Sequence, residues 1–590
     1  MFRAPLREIR FVMQELLGSQ ALEAGYADID YSAELGDNIV EEAGKFAESV
    51  LEPINQSGDR EGSRWTAEGV LTPAGFKAAY AAYVEAGWAQ LSVPAEQGGQ
   101  GMPQLVNTAV EELMFGANMA FFLGTSLARG AVEAIAAAGA GEFQSQVLPK
   151  LVNGEWMGTM NLTEPQAGSD LALLRTRAVA DGGHYRLYGQ KIFITYGDHD
   201  LTDNIIHLVL ARIDGAPEGV KGISLFCVPK FLINADGSPG ARNDLRCLSI
   251  EHKMGIHASP TCVMVFGEKD GAIAYLMGPP HAGLSFMFIM MNAARLSVGV
   301  QGLAQSERAL QLALEWARNR RQGRVDGKPA PVAIIEHPDV RRMLLSMKAH
   351  TEAMRALCYY AALELDQGHR LTDEAARKAA LARAELLIPV VKGWCTETAI
   401  EVTSTGVQVH GGMGYVEETG AAQFLRDVRI ASIYEGTTGI QANDLIGRKL
   451  MRDRGAAMTA LLHDLLAGIE AVPVQPETQQ IRTAAIEALA SLREASAAIL
   501  AMQAQTPAPA QAVSVPFLKL CGLALSGALM ARAALVANAA LSNHPGDAFY
   551  ESKLQTCRFY AAQVLPQAQG LARVVLEGPR SVTDARVELL

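Results

Sequence analysis

The chain has 590 residues, 49% of them hydrophobic and 19% charged, and carries a formal net charge of −12. That length exceeds one ordinary core and implies three or four domains, and the apolar content excludes a disordered chain. The acidic balance excludes a general binder of nucleic acid or anionic membrane, since both need a dominant basic field, and leaves small molecules as the expected partners.

The opening segment MFRAPLREIRFVMQELL is amphipathic but contains Glu8 and Glu15, with no apolar signal core and no small-residue cleavage site, so no targeting is read. From Tyr31 to about Gly154, apolar residues recur at three- and four-residue spacing with Pro and Gly between the runs. Residues 1–155 are therefore assigned to an N-terminal helical domain with an extension. The period then changes. RTRAVADGGHYRLYGQKIFIT alternates around an Asp-Gly-Gly turn, and NIIHLVLARIDG and KGISLFCVPKF follow as β-branched and aromatic runs. Residues 156–280 are expected to form a β domain.

Helical spacing returns over 281–455, in LSVGVQGLAQSERALQLALEWARNRR and in the long run ending TSTGVQVHGG. The most apolar run, Leu284 to Met291, is far shorter than the roughly 20 residues a bilayer demands. It is read as a buried helix, and no integral membrane segment is expected. Residues 460–590 are Ala/Leu-rich and read as an additional helical domain, interrupted by QTPAPAQAVSVP. The fold class is thus multidomain α+β in the order α, β, α, further α. Seven scattered cysteines with no C-x-x-C spacing give neither a disulfide framework nor a zinc knuckle and fit a reduced, cytoplasmic setting.

Five motifs carry chemistry, each with a plain structural alternative. In MNLTEPQAGSD, 160–170, Thr163 and Ser169 offer hydroxyls to a flat heterocycle and Gly168 permits close backbone approach; the alternative is a structural turn. In KIFIT, Phe193 and Thr195 lie two apart and share one strand face, suiting a flavin ring or ordinary sheet packing. ARNRRQGR, 317–324, is either a solvated helix end or a pyrophosphate clamp of guanidinium donors. VHGGMGYVEETG is either a helix stop or a glycine run that admits a cofactor, and it lacks the G-x-G-x-x-G spacing. Without a G-x-S-x-G elbow or an H-E-x-x-H pair, hydrolase and metal chemistry fall away.

The fifth motif is IYEGTTGIQ, 433–441. Thr438-Gly439-Ile440-Gln441 has the form of a capping box, so a helix is expected to start there, with Glu435 just before it. Glu435 is either a surface acid favoured by the helix dipole or a base held in a dry pocket.

Together, LTEPQAGSD, KIFIT, RNRRQG, QVHGGMGY and IYEGTTGIQ, in this order, resemble the flavin-dependent acyl-CoA dehydrogenases over about residues 30–450. The resemblance implies FAD as cofactor, an acyl-CoA substrate and α,β-dehydrogenation, with Glu435 as the catalytic base taking the α-proton and flavin N5 the β-hydride. It implies cofactor contacts from Met160, Leu162, Thr163, Ser169, Phe193, Thr195 and Thr437. Arg320 is expected on the FAD pyrophosphate of a neighbouring subunit, and Gln408, Gly411 and Gly412 at its adenosine end, which implies a homodimer. Ser169, Arg295, Tyr434 and Gly436 are expected to bind substrate. Electrons are expected to leave through an electron-transfer flavoprotein.

Three positions depart from the family pattern: Phe193 where Trp is common, Arg321-Gln322 without the usual Phe-Gly pair, and Gly439 where Gln or Glu is common. APLREIRFVMQELL, EHKMGIHASPTC and MMNAARLSVGVQGLA resemble a large bacterial branch of the family, which implies either a medium- or long-chain fatty acyl-CoA or 3-methylmercaptopropionyl-CoA as substrate. An acyl-CoA oxidase using oxygen, a non-catalytic flavin-binding relative and a helical scaffold remain as alternatives.

Overall fold

The computed structural model describes residues 2–139, 141–471, 473 and 475–589. The chain folds into two compact units that cut across the four segments read from sequence. One comprises Ala43–Pro103 and Leu113–Ala294, the other Met1–Glu42, Gln104–Glu112 and Arg295–Leu590. In chain order the elements are helical, then β, then helical, then a further helical segment, as the patterning predicts.

The first unit is organised by an eight-stranded sheet. Its strands are β1 (Met157–Asn161), β2 (Arg177–Asp181), β3 (His184–Thr195), β4 (Ile205–Ile213), β5 (Ile223–Pro229), β6 (Leu245–Ile250), β7 (Thr261–Phe266) and β8 (Ala272–Met277). They run in the order β6-β7-β3-β8-β5-β4-β1, with β2 paired to both β3 and β4. The Asp-Gly-Gly turn closes the β2–β3 hairpin as expected: Asp181 pairs with His184, and Gly182 takes φ +63°, which a side chain would resist.

Strand β4 reads as a continuous apolar run because both faces are covered. Ile206, Leu208 and Leu210 pack in a cluster with Trp156, Val132, Ile135, Met287 and Met290. Val209 and Ala211 pack on the other face with Leu187, Phe226 and Met264. Met287 and Met290 have no exposed area and act as core filling. The N-terminal region is not purely helical, since Arg64–Trp65 pairs with Val70–Leu71 as a short hairpin.

The second unit is a helical bundle. Helix α1 (Gly283–Asn319) enters it at Arg295, followed by α2 (Pro338–Arg370), α3 (Glu374–Val390), α4 (Thr396–His410) and α5 (Thr438–Asp444). Leu310 and Ala313 of α1, Leu344 and Met347 of α2, Val402 and Val409 of α4, and Phe424 form one cluster. Beyond them lie α6 (Pro476–Gln505) and α7 (Ser514–Asn543), and α7 packs against α2 and α5 of the same unit. The proline-rich interruption breaks helicity at Thr506 and Val513, but Pro507–Ala512 between them is itself a short helix, led by a proline at its first turn where no N–H is needed.

One expectation is corrected. The apolar run at 284–291 lies inside the 37-residue α1, which with Gln104–Ala137 and α7 is long and apolar enough to cross a membrane by length and composition. Protein covers 89% of the apolar window of α7, 67% of that of Gln104–Ala137 and 56% of that of α1, so helix burial takes up much of this apolar surface.

Candidate active site

The Glu435 turn connects the 3-10 turn Arg429–Ser432 to α5. Glu435 has φ +56° and Gly436 φ +91°, two successive left-handed residues. A non-glycine residue pays roughly 1–2 kcal/mol for that conformation, so the surroundings must hold it. They do so from several sides. Gln441, with no exposed area, donates from Nε2 to the Glu435 carbonyl at 3.0 Å. Lys392, equally buried, donates from Nζ to the Gly436 carbonyl at 2.6 Å. Thr438 donates to Glu397 at 2.6 Å, and the Tyr434 hydroxyl donates to Gln301 on α1 at 2.5 Å.

The expected capping box is off by one residue. Thr437 is the N-cap, its hydroxyl accepting from the Ile440 N–H at 3.3 Å. Gln441 therefore does not return to the cap backbone but reaches further back, to the base turn. Gly436 has two reasons to be glycine: its φ, and a Cβ there would lie 2.7 Å from Gln441 Nε2.

The electrostatics of this turn suit a base. Burial raises the Glu435 carboxyl to about 7, partly opposed by the nearby Arg295 and Lys392 cations. Its side chain keeps some accessible area, yet dense surrounding protein already removes much of its hydration, before any ligand arrives. Burial brings Lys392 down to about 7, with Arg295 adding to the effect and Glu435 and Glu397 opposing it. Arg295 is 4% exposed and pairs with Asp444 at 3.4 Å, and Asp444 also pairs with Arg448. Arg295, read from sequence as a substrate contact, thus lies buried in the bundle, where its charge acts on Glu435. Among the described residues, no acceptor is found for the Glu435 backbone N–H.

A second group forms in the β-sheet unit. The Ile192 N–H donates to the Thr163 carbonyl at 2.9 Å, laying the LTEPQAGSD loop beside the end of β3. Lys191, with no exposed area, donates to the Leu162 carbonyl at 2.9 Å and to Glu164 at 2.8 Å. Glu164 also accepts from the Arg175 and Thr176 N–H groups and the Thr176 hydroxyl. Burial alone would raise Glu164, but the Lys191 ammonium and these donors outweigh it and carry the carboxyl down to about 2. Glu164 is thus the internal tie of the loop.

Leu162 and Thr163 are tied to this strand end by these bonds; Met160 precedes them on β1, Ser169 follows in the same loop, and Phe193 and Thr195 follow on β3. Phe193 is 59% exposed at φ +59°. Ile192 and Phe193 together oppose Val263 in a bulge, and Ile194, between Phe193 and Thr195, is buried. Bulges re-aim side chains, and the Phe193 ring here is left largely uncovered.

The third group lies at two helix ends in the bundle. Trp316, one turn before Arg320, packs on His410 at a tilt of 30°, with ring centroids 5.1 Å apart. Arg320, Gln408, Gly411 and Gly412 are all exposed at these joined ends, and Gly411 takes φ +63° as α4 stops. The ring contact is a joint that motif reading missed. Lys392 and Gln441 were likewise missed as partners of Glu435. The signal for Lys392 was a lone cation inside the apolar run IPVVKGWC.

Four family models match the chain in order. The acyl-CoA dehydrogenase N-terminal, middle and C-terminal domains match residues 34–155, 159–268 and 281–451, and an acetyl-CoA dehydrogenase C-terminal-like domain matches 458–586. The chain is 47% identical to 3-methylmercaptopropionyl-CoA dehydrogenase of Ruegeria pomeroyi, over 96% of both chains. It is 34% identical to a butyryl-CoA dehydrogenase of Syntrophomonas wolfei, over 98% of this chain and 97% of that one. The solved structure of Caenorhabditis elegans ACDH-11 in complex with C11-CoA shares the fold, with TM-score 0.76 at 20% identity over 98% of this chain and 96% of the other.

Proposed function

The chain belongs to the acyl-CoA dehydrogenase family, and on that premise we propose that it converts an acyl-CoA thioester to the trans-2-enoyl-CoA with Glu435 as the base. The observation that carries this reading is a carboxyl at about 7, set on a left-handed turn that Gln441 and Lys392 hold by its two carbonyls. A surface acid at a helix start needs neither the strain nor the clamps.

The α-proton of a thioester is weakly acidic, so a carboxylate can take it only if its own proton affinity is high and the developing enolate is stabilised. Burial supplies the first condition at Glu435. The Glu435 N–H, for which no protein acceptor is found among the described residues, suits the second as a donor to the thioester oxygen. In balance, the Cα–H electrons enter the new C=C bond as the proton passes to Glu435, and Cβ loses hydride.

The loop and strand end in the β-sheet unit fit a flat, hydrogen-bonding heterocycle. Phe193 offers an uncovered ring, Thr163, Ser169 and Thr195 offer hydroxyls, and a Cβ built at Gly168 meets nothing within 4 Å. FAD would be held there by these residues with Met160 and Leu162, and when bound it supplies the two-electron acceptor for the hydride. Arg320, Gln408, Gly411 and Gly412 would serve the cofactor of a neighbouring subunit in a homodimer.

For the substrate we favour a short acyl thioester, with 3-methylmercaptopropionyl-CoA first, on the near-complete overlap with the Ruegeria relative. An electron-transfer flavoprotein is proposed as acceptor and the cytoplasm as location. The test is a panel of acyl-CoA thioesters scored by anaerobic bleaching of the bound flavin. Fast bleaching by the short thioethers and straight chains supports the assignment; a colourless protein, or one bleached by none of them, refutes it. Peroxide release without an added acceptor would indicate an oxidase instead.

A further inference from the structure

Lys392 is a buried cation with a specific task in the geometry. It lies on the π turn Val391–Cys395, entered from α3 just after Pro389, a residue that cannot donate to the helix ladder. Its Nζ has no exposed surface to hydrate it and donates to the Gly436 carbonyl at 2.6 Å, one residue from Glu435. A buried lysine is costly unless paired, and this one is directed at main chain in a turn that needs holding. The same turn is braced from its far side by α7. A Cβ built at Gly393 would lie 2.8 Å from Leu518 Cδ1, and one built at Gly522 would lie 2.1 Å from Trp394 Cγ, so each backbone lies directly against a side chain of the other.

We propose that Lys392 is a positioning residue for the reaction, fixing the turn that presents Glu435 and adding a cation that tunes this carboxylate, with α7 of the C-terminal segment as its buttress. The proposal rests on the reading of Glu435 as base. The charged neighbours are Arg295 of α1, Glu397 of α4, and Asp444 with Arg448 after α5, so with Glu435 and Lys392 the set holds three cations and three carboxylates. Tyr434 flanks the turn as a neutral phenol, its proton held by burial and the adjoining Glu435. Removing Lys392 takes away one of the two cations that favour the Glu435 carboxylate and leaves its other neighbours balanced, two cations against two carboxylates, so its proton is held more tightly.

The test uses holoenzyme and the pH dependence of flavin bleaching by acyl-CoA in single turnover, on Lys392→Met and Lys392→Gln. For Lys392→Met the midpoint of the pH–rate profile is expected to move up by about one pH unit. Its limiting rate should fall on the order of 10²-fold as the base loses its position, while affinity for a non-reducible thioester analogue changes little. Lys392→Gln keeps a donor but no charge, so it should show the raised midpoint with much of the limiting rate restored. Wild-type midpoints in the folded, yellow variants would overturn the proposal. Should Lys392→Met fail to retain flavin, Lys392→Gln alone decides by its midpoint. Glu435→Gln run alongside separates the two claims: if it bleaches normally the base assignment fails, and if it is inert while both Lys392 variants keep wild-type profiles only the present inference fails.

Discussion

Replacing Gly436 by alanine tests whether the left-handed turn does the positioning. Gly436 sits at φ +91°, where a side chain costs roughly 1–2 kcal/mol. The new Cβ would stand 2.7 Å from Gln441 Nε2 and 3.3 Å from Ile440 Cγ2, closer than either contact allows. Gln441 must then swing away, and the Glu435 carbonyl loses its buried donor, at about 1–3 kcal/mol. The sum, about 2–5 kcal/mol, is smaller than the total stability expected of a domain, so the turn should relax while the fold persists. A displacement of about 1 Å at a reacting group costs on the order of 10²-fold in rate. Anaerobic stopped-flow reduction of the flavin by acyl-CoA, with a melting curve as control, measures both effects. Gly436→Ala with wild-type reduction rate would refute the argument that this turn places the base.

Other consequences are open to the same methods. With Glu435 near 7, the carboxylate is the minor form at pH 6 and the major form at pH 8, so the bleaching rate should rise about tenfold over that interval; a flat profile would exclude Glu435 as the titrating base. Lys191→Met leaves Glu164 buried without its cation and should cost about 3–5 kcal/mol, with loss of flavin from purified protein; full flavin content and wild-type melting would show that the pair does not hold the loop. Glu164 is depressed to about 2 in the folded state, so its ion pair stabilises fully above the ordinary carboxylate range and is lost as pH falls toward 2. Urea unfolding at pH 6 and at pH 3 should therefore show a smaller pH effect in Glu164→Gln than in wild type. Leu518→Ala removes a fully buried side chain against Gly393 and should destabilise by about 2–5 kcal/mol, moving the pH–rate midpoint in the same direction as Lys392→Met.

Much of the fold could be read because local chemistry and tertiary packing agree. The Asp-Gly-Gly turn closes the β2–β3 hairpin, and the unbroken apolar run of β4 reflects two covered faces. Glu435 was legible as a residue of interest from its motif, but its setting was not. The helix cap fell on Thr437 because Thr438 is drawn to Glu397, forty-one positions earlier, and no local pattern reports that competition. The bulge at Ile192 and Phe193 was not legible, because it is set by the register of β7. Lys392 drew no reading from the sequence, because its partner, the Gly436 carbonyl, is supplied by a turn forty-four positions later. The spanning-length character of α1 was missed because the count stopped at its most apolar eight residues.

The central claim is that Glu435 takes the α-proton. It is tested most directly by Glu435→Gln, purified with its flavin and mixed anaerobically with a thioester that bleaches the wild-type enzyme. The account predicts a folded, yellow protein that binds the thioester and stays oxidised, because the amide that replaces the carboxylate cannot accept the proton. Bleaching at the wild-type rate would contradict it.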